Sequence, residues 1–336
     1  MKVVCVADAY ITAQMMEEGV RPALGPADSL EIFFFGLPGR EQMRDMVRTL
    51  EKGGRDSLPL PEGLAESVKD ADCLIVHLCP VTKTLLAGAG KLKAVMSCRG
   101  GREHLDLEAA AAPGVAVSTN PAHNARAVAE YTIGLILAET RNICRSHCAL
   151  KAGEWRKEYP NTGNIRELGD MTVGVVGYGS VGRMVAERLL PFGCRVLVHD
   201  PFAPADGVPG LSFVTLQKLL AESDIISLHA RSSKPIITDA EFALMKRGAV
   251  LINTARAVLI DSSALKRALD GGILLGAALD VFDTEPDIPA YLREYDNVTL
   301  SSHRAGDTIN SYKDAPAFAI GNFLGWLEGK PLKFKV

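Results

Sequence analysis

Val173-Gly-Val-Val-Gly-Tyr-Gly-Ser-Val-Gly182 is the stretch that decides the fold. The β-branched apolar run Val173, Val175, Val176 enters Gly177, Gly179 and Gly182, spaced G-x-G-x-x-G. Val185, Ala186, Leu189 and Leu190 follow at helical spacing, and a second apolar run, Cys194 to His199, ends in Asp200. The acid falls about 20 residues beyond the first glycine, which completes a strand–turn–helix–strand–acid unit suited to a dinucleotide. Gly177 permits the turn, Gly179 admits the pyrophosphate, and Gly182 lets helix pack on strand. The pyrophosphate is expected on the free N–H groups at Ser180 and Val181, where the helix dipole is positive. Asp200 would take the adenosine ribose hydroxyls. A 2′-phosphate would meet its carboxylate, and Pro201 and Phe202 follow rather than arginine, so NAD is expected over NADP.

The rest of the chain alternates in the same way. Val3–Ala7, Glu31–Phe35, Cys73–Leu78, Ala94–Ser97 and Val115–Ser118 read as strands before the glycine-rich segment, with Leu64–Lys69 helical between them. Ile225–His229, Val250–Asn253, Leu275–Asp280 and Val298–Ser301 read as strands after it, with helices such as Thr215–Ala221 and Ala264–Leu269 before them. A smaller α/β domain therefore precedes a doubly wound parallel sheet. Asn124 is placed to cap a helix of more than twenty residues reaching toward Ala152-Gly153, and Asn310 to Leu327 reads as one amphipathic helix packing back on the first domain.

Composition limits the function classes. The chain has 336 residues, 47% hydrophobic, with a net charge of −3 and a pI of about 6.2. That suits an α/β protein of about two domains and offers no basic field for nucleic acid or an anionic membrane. The apolar stretch Tyr131 to Leu137 is far short of a membrane span. Met1-Lys2 runs straight into a strand, so no signal peptide is expected. Seven scattered cysteines read as free thiols of the reducing cytoplasm. Cys144, His147 and Cys148 lack a C-x-x-C partner pair, and no metal is assigned to them.

Four blocks in order resemble the D-isomer-specific 2-hydroxyacid dehydrogenases, with phosphoglycerate dehydrogenase-like members most similar. They are Arg99-Gly-Gly101 with Leu105-Asp-Leu-Glu-Ala-Ala110; Ala127-Val-Ala-Glu130; Gly177 to Asp200; and Asn253-Thr-Ala-Arg256, Leu279-Asp-Val-Phe-Asp-Thr-Glu-Pro286 and Ser302-His-Arg-Ala-Gly306. The resemblance implies a Rossmann-type doubly wound sheet, residues 120–305, that binds NAD. It is inserted in a smaller flavodoxin-like α/β domain, residues 1–119 and 306–336, that binds substrate. It also implies a homodimer built through the cofactor domains. Matched residue by residue, it places the catalytic arginine at Arg256, the acid at Glu285 and the histidine at His303. Asp280 would approach the nicotinamide amide, with Thr254 and Ala255 as further cofactor contacts. Arg99, Gly100 and Gly101 would hold the substrate carboxylate. Three positions depart from the family pattern: Ala257 for a glycine, Ser302 for a proline, and His123 where relatives often carry arginine.

These residue types suit reduction of a 2-oxo acid. A guanidinium is always charged and presents a planar fork, so Arg256 can hold a carboxylate and polarise a keto oxygen. The glycine N–H groups at 100 and 101 can share the carboxylate. An imidazole exchanges protons near neutrality, so His303 can protonate the new alkoxide, with Glu285 orienting the ring through its other nitrogen. The expected reaction is interconversion of a small D-2-hydroxy acid and its 2-oxo acid with NAD(H). Two other readings share the fold: an NAD(H)-responsive partner-binding protein and a formate dehydrogenase-like enzyme. The Arg256, Glu285, His303 set favours catalysis over the first, and the glutamate at 285 argues against the second. His77, beside the turn Cys79-Pro-Val-Thr82, is a candidate substrate contact with a structural or rim role as its alternative; His104 and His123 read as structural or rim histidines, and Arg231 as either an adenine-side contact or a surface arginine.

Overall fold

Short apolar runs without alternation form strands covered on both faces, which is the signature of parallel sheets. The computed structural model describes residues 1–51, 53–202 and 208–336. The chain divides into two units, 1–124 with 308–336, and 125–307. The divisions fall a few residues beyond those expected. At the first, the turn after residue 119 is tied back within the first unit, where Asn120 N–H donates to the Arg99 carbonyl at 2.9 Å.

The first unit holds β1 (Lys2–Ala7), β2 (Ser29–Phe34), β3 (Cys73–Val76), β4 (Ala94–Ser97) and β5 (Ala116–Ser118), all parallel in the order β2-β1-β3-β4-β5. This is the flavodoxin-like order. Successive side chains alternate between two cores. Val4, Val6, Leu74 and Val76 face Phe35, Met43 and Leu64. Val3, Cys5, Ile75 and Met96 face Met16, Ile320 and Phe323.

The second unit holds β6 (Thr172–Val176), β7 (Arg195–His199), β8 (Leu211–Phe213), β9 (Ile225–Leu228), β10 (Ala249–Asn253), β11 (Leu274–Leu279) and β12 (Val298–Leu300). Their order is β12-β11-β10-β9-β6-β7-β8, again all parallel. The direction of winding reverses between β6 and β9, the topological switch point where open α/β sheets bind ligands. The short edge strand β8 carried no sequence signal of its own.

Two helices differ from expectation. The long helix after Asn124 is two, Ala125–Thr140 and Ile143–Lys151. Asn142 breaks it with a left-handed backbone, φ 57°. Its side chain is fixed on both ends, donating to Asn161 Oδ1 at 2.7 Å and accepting from Arg145 at 2.7 Å. The terminal helix is also two, Ile309–Lys313 and Ala315–Leu327. Pro316 lies in the first turn of the second, where its missing N–H costs nothing but an unbroken helix could not pass. That second helix packs Ala319, Ile320 and Phe323 into the core of the first unit.

Candidate active site

The glycine-rich turn leaves β6 at the switch point. Gly177 has φ +97°, and a Cβ there would stand 2.5 Å from the Ala230 nitrogen, so both backbone conformation and space demand glycine. A Cβ on Gly182 would stand 1.9 Å from the Gly177 carbonyl oxygen, which shows how tightly helix Ser180–Leu189 is drawn onto the turn. Gly179, the N-cap of that helix, has open space where its Cβ would be. The turn thus leaves an uncovered cradle at the N–H end of the helix, beside Ser180 and Val181. A pyrophosphate fits this arrangement by charge and by room. At the end of β7, Asp200 accepts from the Tyr178 and Phe202 N–H groups at 2.6 and 2.8 Å, so its carboxylate is fixed beside the same turn.

Arg256, Glu285 and His303 follow the ends of β10, β11 and β12, three adjacent strands. Asn253 shapes the first loop. Its side chain donates to the Arg256 carbonyl at 2.8 Å and accepts from Ala255 N–H at 3.0 Å. Thr254 is buried and its hydroxyl meets that of Thr132 at 2.8 Å. The Arg256 side chain is exposed and donates to the Ala255 carbonyl at 2.7 Å.

Asp280 is completely buried and holds the third loop shut. One oxygen accepts from the Ser301 hydroxyl at 2.6 Å and Arg304 N–H at 2.9 Å, and the other from Ala305 N–H at 2.9 Å. The Asp280 carbonyl accepts from His303 N–H, also at 2.9 Å. This latch surrounds His303, whose backbone is left-handed at φ 53°. Such a conformation is uncommon for a residue with a Cβ and is sustained here by the bonds on either side of it. The imidazole turns Nδ1 toward Glu285 Oε2 at 2.9 Å, and Glu285 Oε1 accepts from Phe282 N–H at 2.8 Å. A carboxylate only accepts, so Nδ1 carries the proton. Nε2 has no partner among the described residues and is the nitrogen left for chemistry.

The first unit has its own cluster at the same kind of edge. Ser97, at the end of β4, braces the Arg99 loop: its hydroxyl accepts from Arg99 N–H at 3.3 Å and meets His104 Nε2 at 3.1 Å. Gly100 lies against Pro121, where a Cβ would come within 2.7 Å, and a Cβ on Gly101 would meet the Arg99 and Glu103 side chains. His77, after β3, is buried with Nδ1 at 2.8 Å from Asp8 Oδ2, after β1. Sequence reasoning named His77 but missed Asp8 and Ser97. The only signal for Asp8 was a carboxylate one residue beyond an apolar strand. His104 is fully buried, and its basicity is pushed well down by burial and by the charges of Arg99 and His77. His123 is lowered to about 4, chiefly by burial, despite its bond to the Asn120 carbonyl. Arg231 is exposed.

Comparison with known proteins gives one consistent picture. Residues 133–305 match the family model described as the D-isomer specific 2-hydroxyacid dehydrogenase, NAD binding domain. A glyoxylate reductase of Thermofilum pendens is 34% identical over 302 residues, 87% of this chain and 89% of that protein. A D-3-phosphoglycerate dehydrogenase of Methanocaldococcus jannaschii is 36% identical over 282 residues, 81% of this chain but 53% of that longer protein. The solved structure of D-2-hydroxyisocaproate dehydrogenase superposes with a TM-score of 0.78 at 25% identity, covering 100% of this chain and 99% of that one.

Proposed function

This chain belongs to the D-isomer-specific 2-hydroxyacid dehydrogenase family, NAD-dependent oxidoreductases, and on that footing we propose how its own residues carry the reaction. The substrate pair is a small D-2-hydroxy acid and its 2-oxo acid. Arg256 polarises the keto oxygen, His303 supplies the proton, and Glu285 orients His303. Arg99 and the N–H groups of Gly100 and Gly101 take the substrate carboxylate. The observation that carries this reading is the Glu285–His303 pair, 2.9 Å apart, at the ligand edge of a sheet whose glycine-rich turn fits a pyrophosphate.

Bound NADH supplies the hydride. Gly177, Gly179 and Gly182 shape its cradle, Ser180 and Val181 offer N–H groups to the pyrophosphate, and Asp200 takes the ribose hydroxyls. Thr254, Ala255 and Asp280 would lie toward the nicotinamide. As negative charge develops on the keto oxygen, the guanidinium of Arg256 stabilises it and Nε2 of protonated His303 gives up its proton. Glu285 holds Nδ1–H throughout, so the ring ends neutral in the tautomer ready to take the proton back. Oxidation of the hydroxy acid runs the same transfer in reverse. The paired histidine and glutamate favour catalysis over a purely partner-binding role.

We also place the protein in the cytoplasm, as a homodimer formed through the second unit. All seven cysteines are free thiols, which suits a reducing compartment. No helix among the described residues is long and apolar enough to cross a membrane. Ile143, Leu150, Trp155 and Ile165 expose large apolar side chains, Trp155 to 80%, and a two-fold interface would cover them. The activity is tested by following NADH absorbance with purified protein and a panel of 2-oxo acids that includes glyoxylate. Consumption of NADH with formation of the D-hydroxy acid is expected. A full panel with no turnover, using protein shown to bind NADH, would defeat the reading.

A further inference from the structure

We propose that Asp8 and His77 form a hydroxyl-reading group in the first unit, so that the preferred substrate is a 2-oxo acid with a hydroxyl on its tail rather than a phosphate or a bare alkyl chain. This rests on the reading above, in which the Arg99–Gly101 loop takes the substrate carboxylate.

Placement is the first argument. Asp8, His77 and Arg99 follow the ends of β1, β3 and β4, three successive strands in register at Val6, Val76 and Ser97. Neighbouring strands lie about 4.8 Å apart, roughly four bonds of an extended chain. For a substrate held by its carboxylate at the β4 loop, the β3 end, where His77 stands, is within reach of the tail.

The pair is built to present one hydrogen-bonding atom. Asp8 is wholly buried, accepting from Tyr10 and Ile11 N–H groups at 2.8 and 3.0 Å through one oxygen and meeting His77 Nδ1 through the other. Burial works to raise the Asp8 pKa, but the His77 charge and the hydrogen bonds from His77, Ile11 and Tyr10 outweigh it and leave it lowered. An ionised Asp8 fixes the His77 proton on Nδ1. The rings of Tyr10 and Tyr312 each stand 6.1 Å from the imidazole, edge-on at 67° and 75°, and set its tilt. Nε2 is left without a hydrogen-bond partner among the described residues. A hydroxyl satisfies that atom in either protonation state, whereas an alkyl tail would strand it.

Charge argues against phosphate. His104 and His123 are held neutral by burial. The Asp8 carboxylate is paired with His77. Glu103 lies 3.8 Å from Arg99, and Arg40 stacks over Tyr10 and Tyr312. A dianion calls for several charged donors, and beside His77 it would face the Asp8 carboxylate.

The test is NADH-dependent kinetics on matched acids: hydroxypyruvate against pyruvate, 4-hydroxy-2-oxobutanoate against 2-oxobutanoate, and 3-phosphohydroxypyruvate. The wild type should favour each hydroxylated acid over its deoxy partner, and hydroxypyruvate over its phosphate, by about tenfold or more in kcat/KM. His77→Leu should bring the hydroxylated-to-deoxy ratio to within about threefold, and His77→Gln, which keeps a donor at similar reach, should recover part of it. Asp8→Asn should raise KM for the hydroxylated acids while NADH binding is retained. A wild type that prefers the deoxy or phosphorylated acids overturns the inference even if no variant folds, and so does a ratio unmoved in His77→Leu. Failure to reduce any of the acids would instead overturn the dehydrogenase reading, and this inference with it.

Discussion

Each unit sets a histidine against a carboxylate at nearly the same distance, in opposite surroundings. His303 Nδ1 lies 2.9 Å from Glu285, with the two side chains 54% and 36% exposed. His77 Nδ1 lies 2.8 Å from Asp8, with exposures of 7% and 0%. Distance alone therefore does not separate the two pairs; their surroundings do. An exposed pair adds little to stability, so under the proposed mechanism its effect falls on proton transfer at each turnover. A sealed pair is the reverse. Removing one member leaves the other buried and unsatisfied, so the group is held in one state and offers one fixed atom to a ligand.

The largest effect is expected at the exposed ring. His303→Ala should lower kcat by about 10²–10⁴-fold while NADH affinity, read by fluorescence titration, stays close to wild type. A comparable loss of NADH binding would make His303 a structural residue. The latch comes next. Asp280→Asn keeps the shape but replaces an acceptor with a donor facing backbone N–H groups, and should cost about 10–10²-fold in kcat together with thermal stability. Full activity in this variant would show that the His303 loop does not depend on Asp280.

The buried pair should register in stability and in acid. Asp8→Asn should cost about 1–3 kcal/mol near neutral pH, measured by urea unfolding. The Asp8 pKa is lowered in the folded protein from its ordinary 3.8. Its stabilising contribution is therefore complete above that value and is lost as pH falls below it toward the folded pKa. The gap between wild type and Asp8→Asn should narrow only in that acid window, and a gap that closes between pH 7 and 5 would contradict the assignment. The smallest effect lies at the cofactor. Asp200→Ala should reduce the NAD over NADP preference in kcat/KM by about tenfold, the scale of one hydrogen-bonded charge. An unchanged ratio would remove Asp200 from ribose recognition.

Much of the fold was legible because parallel strands declare themselves as apolar runs and the glycine spacing fixes the switch point. What escaped depends on contacts distant in sequence. Asn142 ends a helix through bonds to Asn161 and Arg145, and neither partner marks the break in the local pattern. Pro316 was visible, but a proline in a first helical turn and one inside a helix read alike until the preceding helix is seen to stop. At the site, His303 and Glu285 belong to loops after different strands, so composition gave the residue types and family resemblance gave the positions. Asp8 and His77 are separated by 69 positions, and only the β1–β3 pairing brings them together. The resemblance singled out Asp280 for the cofactor, but its grip on Ser301, Arg304 and Ala305 arises only when the loops after β11 and β12 meet in the fold.

Whether Glu285 acts through His303 is decided by a double-mutant cycle on kcat/KM for NADH-dependent reduction of a 2-oxo acid. Glu285→Gln alone should slow the wild type by about 10-fold or more, since it removes the charge that orients the ring. In the His303→Ala background the same change should cost almost nothing further, because there is no ring left to orient. If the two losses instead multiply, the residues act independently and the pair assignment is wrong.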